Sequence, residues 1–325
     1  MGRKDGVDIL PERVKEVKVK EEKKAVLLPE EVPEELTLGK ALQVREAARA
    51  PAVVVYNKHE LLVNLKPLVR KTDEEVIPVL RDPYTKRTDG FLTQFELMVP
   101  TSHRSRFSVL DFMHEFPMFK PDDDLLRVVR ELEDKRVRGA PVVDEEGKLL
   151  GVVDYFDLLR LLKHHLPGEP ELKVKDVMRT GEEYAIDWNE KVNKAWHKLI
   201  NKFLPGLVVV AKDEENKVKG IITYKEFVKT NRWFIHREGE HMSVPMAKVK
   251  TIMMRGVPSL SPEDSVTVAL DKFLVFREPV IPVVDEEGRY VGALFVEDLV
   301  RALARLPRKA VEKSETVEVR EKEAS

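Results

Sequence analysis

The chain has 325 residues, enough to bury two cores, and although 35% of them are charged the net charge is only −2. That balance supplies no bulk field to draw the protein onto nucleic acid or anionic lipid. Cysteine is absent, which excludes disulfides, thiolate catalysis and cysteine-rich zinc sites, while abundant Lys and Glu with only two Gln (Gln43, Gln94) fit a thermophile.

Residues 1–35 are rich in Lys, Glu, Val and Pro. Lys15, Lys18, Lys20, Lys23 and Lys24 crowd one short stretch that reads as a charged tail, solvated unless a partner orders it. Over residues 36–100 a first, weak copy of a repeat follows. Val44–Val55 supplies its lead-in segment and first strand, Lys58–Val69 its helix, and Val76–Glu96 a hairpin running into a second helix. The hairpin loop Asp82–Gly90 is long and basic, with Arg81 just ahead and Lys86 and Arg87 within.

The second copy, residues 101–170, is the clearest. Its lead-in is Val109-Leu-Asp-Phe-Met113. Pro121-Asp-Asp-Asp124 opens a helix with apolar Leu125, Val128, Val129 and Leu132 at helical spacing. Ala140–Val143 reads as a buried strand starting at its proline, Pro141. Asp144-Glu-Glu-Gly147 is a turn, Leu149–Val153 the return strand, and Asp154 the cap of a helix carrying Leu158, Leu159, Leu161 and Leu162. Copy three, residues 171–232, starts at Val174-Lys-Asp-Val-Met178, places Trp188 and Trp196 in its core and runs Gly206–Glu226 through hairpin and helix. Copy four, residues 233–306, starts at Val249-Lys-Thr-Ile-Met253, and its Glu278–Asp298 nearly repeats Gly139–Asp157. A second charged tail, 307–325, closes the chain. Copies start roughly 65 to 75 residues apart, each read as strand, helix, strand, strand, helix.

The Val-Met lead-in, the Pro-Val-Val-Asp-x-x-Gly turn and the Gly-h-h-x-x-x-Asp ending (h apolar) resemble the cystathionine-β-synthase (CBS) domain family. The likeness covers about residues 40–305. It implies an α/β (α+β) fold of four CBS motifs paired into two tandem modules, one with two and three with four. The layout is similar to that of stand-alone archaeal CBS proteins and of the AMP-activated protein kinase γ subunit.

The same resemblance implies the ligand positions. The family's Gly-h-h-Ser/Thr-x-x-Asp puts a hydroxyl and helix-start N–H groups on phosphate and a carboxylate on ribose hydroxyls. Carried over, the acidic positions are Glu96, Asp157, Glu226 and Asp298, and the hydroxyl positions Thr93, Asp154, Thr223 and Phe295. Copies one and three keep Thr but lengthen Asp to Glu; copies two and four keep Asp but lose the hydroxyl. Arg136, Arg138 and Arg277 precede the hairpins, either as phosphate ligands or as cations complementing helix ends. The best-equipped clefts would hold Asp157 with Arg136 or Arg138, and Asp298 with Arg277.

No nucleophile–base grouping, P-loop or Gly-x-Gly-x-x-Gly occurs, and the adjacent His164 and His165 make a poor metal pair, so no catalysis is expected. The resemblance implies a regulatory protein, with no required cofactor, that senses AMP, ADP, ATP or S-adenosylmethionine for a separate effector protein. It also implies an alternative, a translation-silencing factor of hibernation type bound to a ribosomal subunit. There the tail lysines, Arg81, Lys86, Arg87 and the linker residues Arg104, Arg106, Arg232, Trp233 and Arg237 would contact rRNA and ribosomal proteins, although the linkers read more readily as packing between modules. Self-association through the modules is expected. No run nears the ~18 apolar residues of a membrane span and no apolar signal core opens the chain, so a cytoplasmic location away from membranes is expected.

Overall fold

A computed structural model describes residues 33–100, 105–230 and 247–308. Copy one contains α1 (Leu38–Ala41), α2 (Leu62–Thr72), β1 (Val76–Leu80), β2 (Thr88–Thr93) and α3 (Gln94–Leu97). Copy two contains α4 (Leu125–Lys135), β3 (Gly139–Val143), β4 (Leu149–Asp154) and α5 (Tyr155–His165). Copy three contains β5 (Ala185–Asp187), α6 (Val192–Lys202), β6 (Gly206–Ala211), β7 (Lys217–Thr223) and α7 (Tyr224–Thr230). Copy four contains α8 (Val266–Phe276), β8 (Val280–Val284), β9 (Tyr290–Phe295) and α9 (Val296–Ala304). The fold is α+β, with four antiparallel hairpins among the described residues.

The repeats agree in backbone detail. Each hairpin slips register once at the same place, between Val79 and Leu80, Val142 and Val143, Val209 and Val210, and Val283 and Val284. An extra residue on the return strand makes a bulge there and adds twist. Helices α2, α4, α6 and α8 all end on a left-handed residue: Asp73, Arg136, Phe203 and Arg277. The resulting sharp turn sends the chain back along the helix into the next strand.

Three sequence expectations shift. In copy one, Asn57 holds residues 57–60 in a turn through its side-chain bond from the His59 N–H, so α2 starts at Leu62 rather than Lys58. The first strand is regular only in copy three; elsewhere it shrinks to single parallel bridges, Val55 to Val79, Phe119 to Val142 and Leu260 to Val283. Prolines flank those bridges in copies two and four (Pro117, Pro121; Pro258, Pro262), whereas β5 has none, and proline cannot donate to a ladder. Pro141 sits inside β3 rather than at its start. It is tolerated because the neighbouring strand takes only its carbonyl, which accepts the Phe119 N–H at 3.0 Å.

The lead-in segments cross over. Arg49 pairs with Val152, His114 with Phe91, Arg179 with Ala293 and Met254 with Ile221, so each motif's lead-in lies against its partner's return strand. This exchange explains the glycine of the Gly-h-h pattern. A Cβ on Gly151 or Gly292 would stand 2.9 Å from the Arg49 or Arg179 carbonyl, and one on Gly220 only 1.9 Å from that of Met254. The exchange, together with contacts of β1 with β3 and of β6 with β8, makes copies one and two one module and copies three and four the other.

The modules do not keep separate cores. Helix α5 packs on α8 and α9, and α7 on α2 and α3. One apolar cluster unites Leu158, Leu159 and Leu162 of copy two with Phe273, Leu299 and Leu303 of copy four; a second joins Met98 of copy one to Trp196 and Leu199 of copy three. The Trp196 Nε1–H donates to the Met98 carbonyl across the junction at 3.1 Å. Burial of each such Leu is worth about 1.5–3 kcal/mol, so the two modules stabilise one another.

Candidate ligand clefts between paired motifs

Every return strand runs straight into a helix, so its last residue becomes an N-cap. Asp154 Oδ1 accepts the N–H groups of Phe156 and Asp157 at 2.8 and 2.9 Å, and Asp157 Oδ2 accepts the Asp154 N–H at 3.1 Å. Thr93 with Glu96 and Thr223 with Glu226 form the same reciprocal box: each Glu Oε2 accepts its Thr N–H and hydroxyl at 2.7–2.8 Å. The longer Glu therefore still reaches back to the cap. In copy four Phe295 takes the cap position without a side-chain bond.

The crossed lead-ins give each acid a different companion. At Asp157, Arg49 Nε donates to both carboxylate oxygens (3.2 and 2.9 Å) while its outer nitrogens fork onto Glu74 at 2.9 and 2.7 Å, and Nη2 also reaches Asp154 at 3.0 Å. Burial opposes the charge on Arg49, but Glu74, Asp157 and Asp154 outweigh it and hold the guanidinium charged. Burial first, and then Asp154, push the Asp157 carboxyl up against the pull of Arg49. Arg160 adds a second guanidinium, 2.9 Å from Asp157 Oδ1, so three carboxylates share two arginines here.

At Asp298, Arg179 Nε and Nη2 donate at 2.6 and 2.9 Å, and Arg301 adds a further bond. The Arg179 guanidinium lies 4.7 Å over the Phe295 ring, whose edge-to-face neighbour is Tyr184 at 5.7 Å. Arg301 also reaches Glu133 on α4 of copy two at 2.8 Å. At Glu96 the companion is His114, with Nε2 3.1 Å from Oε1. Burial works against the charged ring, yet the bond to Glu96 and its charge raise the His114 pKa above the ordinary value. At Glu226 the corresponding lead-in residue is Met254, which carries no charge.

The three arginines expected at the clefts make other contacts. Arg136 lies 5.1 Å over the Phe203 ring and Arg277 5.3 Å over Phe156, both at helix ends. No ion pair joins either Asp157 to Arg136 or Arg138, or Asp298 to Arg277, among the described residues. Arg138 is 9% exposed at the centre of the molecule. It faces Glu75 of copy one at 3.5 Å and Glu297 of copy four at 3.4 Å, between the rings of Tyr155 and Tyr224. The Tyr224 hydroxyl of copy three donates to Glu75, so all four copies meet there. Burial pushes the Glu75 carboxyl up to about 7, against the pull of Arg138.

Arg49, His114 and Arg179 are therefore the cleft residues missed from sequence. Their signal was the position directly after each lead-in, where three of four copies carry a cationic or titratable side chain.

Of the proposed partner contacts, Arg81 pairs with Asp89 at 2.8 Å, while Lys86, Arg87 and Arg106 are exposed. Lys15, Lys18, Lys20, Lys23, Lys24, Arg104, Arg232, Trp233 and Arg237 lie outside the described residues. A cavity of about 530 Å³ opens at the opposite end of copy three, lined by Asp187, Glu190, Lys194, Lys198, Lys212 and Tyr290. Among the described residues no group of three His, Asp or Glu is placed to hold a metal, and no helix is long and apolar enough to cross a membrane.

Comparison with known proteins agrees with this architecture. The CBS domain family profile matches residues 109–164, 174–231 and 249–305. The chain is 25% identical to protein MJ1225 of Methanocaldococcus jannaschii over 57% of its own length and 65% of that protein's, just under two thirds. To protein MJ1426 of the same organism it is 23% identical over 60% of this chain and 90% of the relative. The solved structure of MJ1225, a proposed archaeal homologue of g-AMPK, superposes with a TM-score of 0.67 at 19% identity, covering 81% of this chain and all of that one. A conserved protein of Pyrococcus horikoshii superposes with a TM-score of 0.55 at 17% identity over the same shares. At these identities the structural likeness speaks to the fold.

Proposed function

The chain belongs to the CBS-domain family, and from that footing we propose that it is a non-catalytic regulatory protein sensing an adenosine-containing ligand at the Asp298 cleft. The observation that carries this reading is the constellation around Asp298. A carboxylate suited to ribose hydroxyls is held by two guanidinium groups suited to phosphate, next to the aromatic pair Tyr184 and Phe295. The Asp157 cleft also has two guanidinium groups, from Arg49 and Arg160, but Arg49 there is already forked onto Glu74 and bonded to Asp154.

Arg301 gives a route for the signal. It bonds Asp298 of copy four and Glu133 of copy two at once, so a ligand that takes over Asp298 redistributes a link between the modules. A partner that reads the modules' relative placement then responds to occupancy as a population shift. AMP, ADP, ATP and S-adenosylmethionine are to be titrated calorimetrically into wild type, Asp298→Asn and Arg179→Ala. Loss of a charge-assisted bond should weaken binding by about 10- to 100-fold, since such bonds contribute on the order of 1.5–3 kcal/mol. No heat with any of the four, or wild-type affinity in both variants, overturns the reading.

The ribosome reading has one observation in its favour: Tyr84 is 91% exposed on the copy-one loop beside exposed Lys86 and Arg87. Asp82 braces the loop by accepting the N–H groups of Tyr84 and Thr85 at 2.9 and 2.7 Å. An ordered aromatic between cations suits stacking on an unpaired base. Co-sedimentation with ribosomal subunits at low salt, abolished by Tyr84→Ala with Lys86→Ala and Arg87→Ala, is the expected outcome. Wild-type protein remaining at the top of the gradient refutes it.

A further inference from the structure

The Glu226 cleft differs from its counterpart in the other module in one respect that chemistry must answer. Glu74 and Glu278 occupy the same position, one residue beyond the left-handed helix end, at Asp73 and Arg277 respectively. Each stands beside the helix-start acid of its partner motif. Glu74 is fully satisfied: it takes a forked pair of N–H bonds from Arg49 and a third from the Ala52 backbone at 2.6 Å. Glu278 is 7% exposed and its Oε2 is buried without a hydrogen-bond partner among the described residues. The lead-in residue that is Arg49 in the first module is Met254 here, with its backbone bridged to Ile221 as Arg49's is to Val152. Lys225, the adjoining cation, is committed: its Nζ donates to Asp73 at 3.0 Å and to the Arg277 carbonyl at 2.9 Å.

A buried carboxylate with no partner costs several kcal/mol unless it is protonated or paired. Burial, with Glu226 adding to it, raises the Glu278 carboxyl to about 7 against the pull of Lys225 and Lys229, so near neutral pH it is poised to ionise for an incoming cation. Met254 is only half-buried and unbranched, a side chain that can move aside.

We propose that this cleft binds a guanidinium group from outside the chain, forked onto Glu278 in the place that Arg49 fills within the first module. The guanidinium belongs either to a small molecule or to an arginine of a partner protein, and the planar fork favours it over an ammonium group. This site is independent of an adenosine ligand at Asp298, and the two stand or fall separately.

The full-length protein is to be titrated calorimetrically at pH 8 with agmatine and with the peptide acetyl-Gly-Arg-Gly-amide. Binding is expected in wild type, weakened at least about tenfold by Glu278→Gln, as loss of a charge-assisted acceptor requires. Met254→Arg supplies the guanidinium within the chain and should both raise the melting temperature and abolish binding. Heat from the peptide alone assigns the group to a protein partner; heat from agmatine as well admits a small ligand. Absence of binding by both probes, unaltered affinity in Glu278→Gln, or equal affinity for cadaverine overturns the proposal.

Discussion

Replacing Arg138 by Leu removes the cation at the point where the four motifs meet. The guanidinium is 9% exposed between Glu75 and Glu297, so its loss leaves two carboxylates facing each other across Tyr155 and Tyr224. Breaking a buried pair from one side costs about 3–5 kcal/mol, because the abandoned charge keeps its desolvation penalty. Glu75 offers an escape. Its carboxyl is already raised to about 7, so below that pH it takes a proton and the uncompensated charge falls. Arg138→Leu should therefore lose about 3 kcal/mol or more at pH 8 and less, about 1.5–3 kcal/mol, at pH 5.5, where the charge-assisted bond to Glu297 is what remains to be lost. Chemical denaturation followed by tryptophan fluorescence at the two pH values measures both losses. The sign in the wild type runs the same way: a group raised in the folded state gives stability that is full below its unfolded pKa and fades as pH climbs through 7. Glu75→Gln combined with Arg138→Leu should recover most of the loss at pH 8. Equal losses at both pH values, or a loss under about 1 kcal/mol at pH 8, would show that the central cluster does not hold the modules together as argued.

His114 should titrate above the ordinary histidine value, and Glu96→Gln should bring it down, as followed by ring proton resonances; an unchanged pKa in the variant refutes the pairing. Because this pKa is raised, the pair's stabilisation is full below the unfolded value and disappears as pH rises through the folded one. Gly220→Ala drives a Cβ to 1.9 Å from the Met254 carbonyl and should cost about 3 kcal/mol or more, whereas Gly256→Ala, with nothing within 4 Å, should cost only about 1 kcal/mol for its positive φ; comparable melting temperatures for the two would contradict the crossed lead-in. Trp196→Phe removes the bond to the Met98 carbonyl and should lower stability by about 1 kcal/mol in denaturant titrations, with no change meaning that the bond adds nothing across the modules.

Local rules carried much of the architecture into the sequence. The alternation of β-branched runs with Asp-x-x-Gly turns marked the hairpins, and Asp124 and Asp154 marked helix starts, because caps and turns depend on residues a few positions apart. The repeat itself told that four equivalent units must pack on one another. Even the acidic cleft positions Glu96, Asp157, Glu226 and Asp298 followed from a pattern seven residues long, and in the fold all four sit at helix starts.

What those acids meet was not legible, because each companion comes from a different motif. Asp157 lies 108 residues from Arg49 and Asp298 lies 119 from Arg179, and no local spacing encodes such a meeting. The arginines nearest in sequence to the hairpins, Arg136 and Arg277, were captured instead by left-handed helix ends and aromatic faces. Only tertiary structure decided this, since the crossing of the lead-in segments selects which side chain arrives at each helix start. The same sequence pattern thus yields an arginine at two clefts, a histidine at a third and, at the fourth, a methionine beside Glu278, whose Oε2 has no hydrogen-bond partner among the described residues.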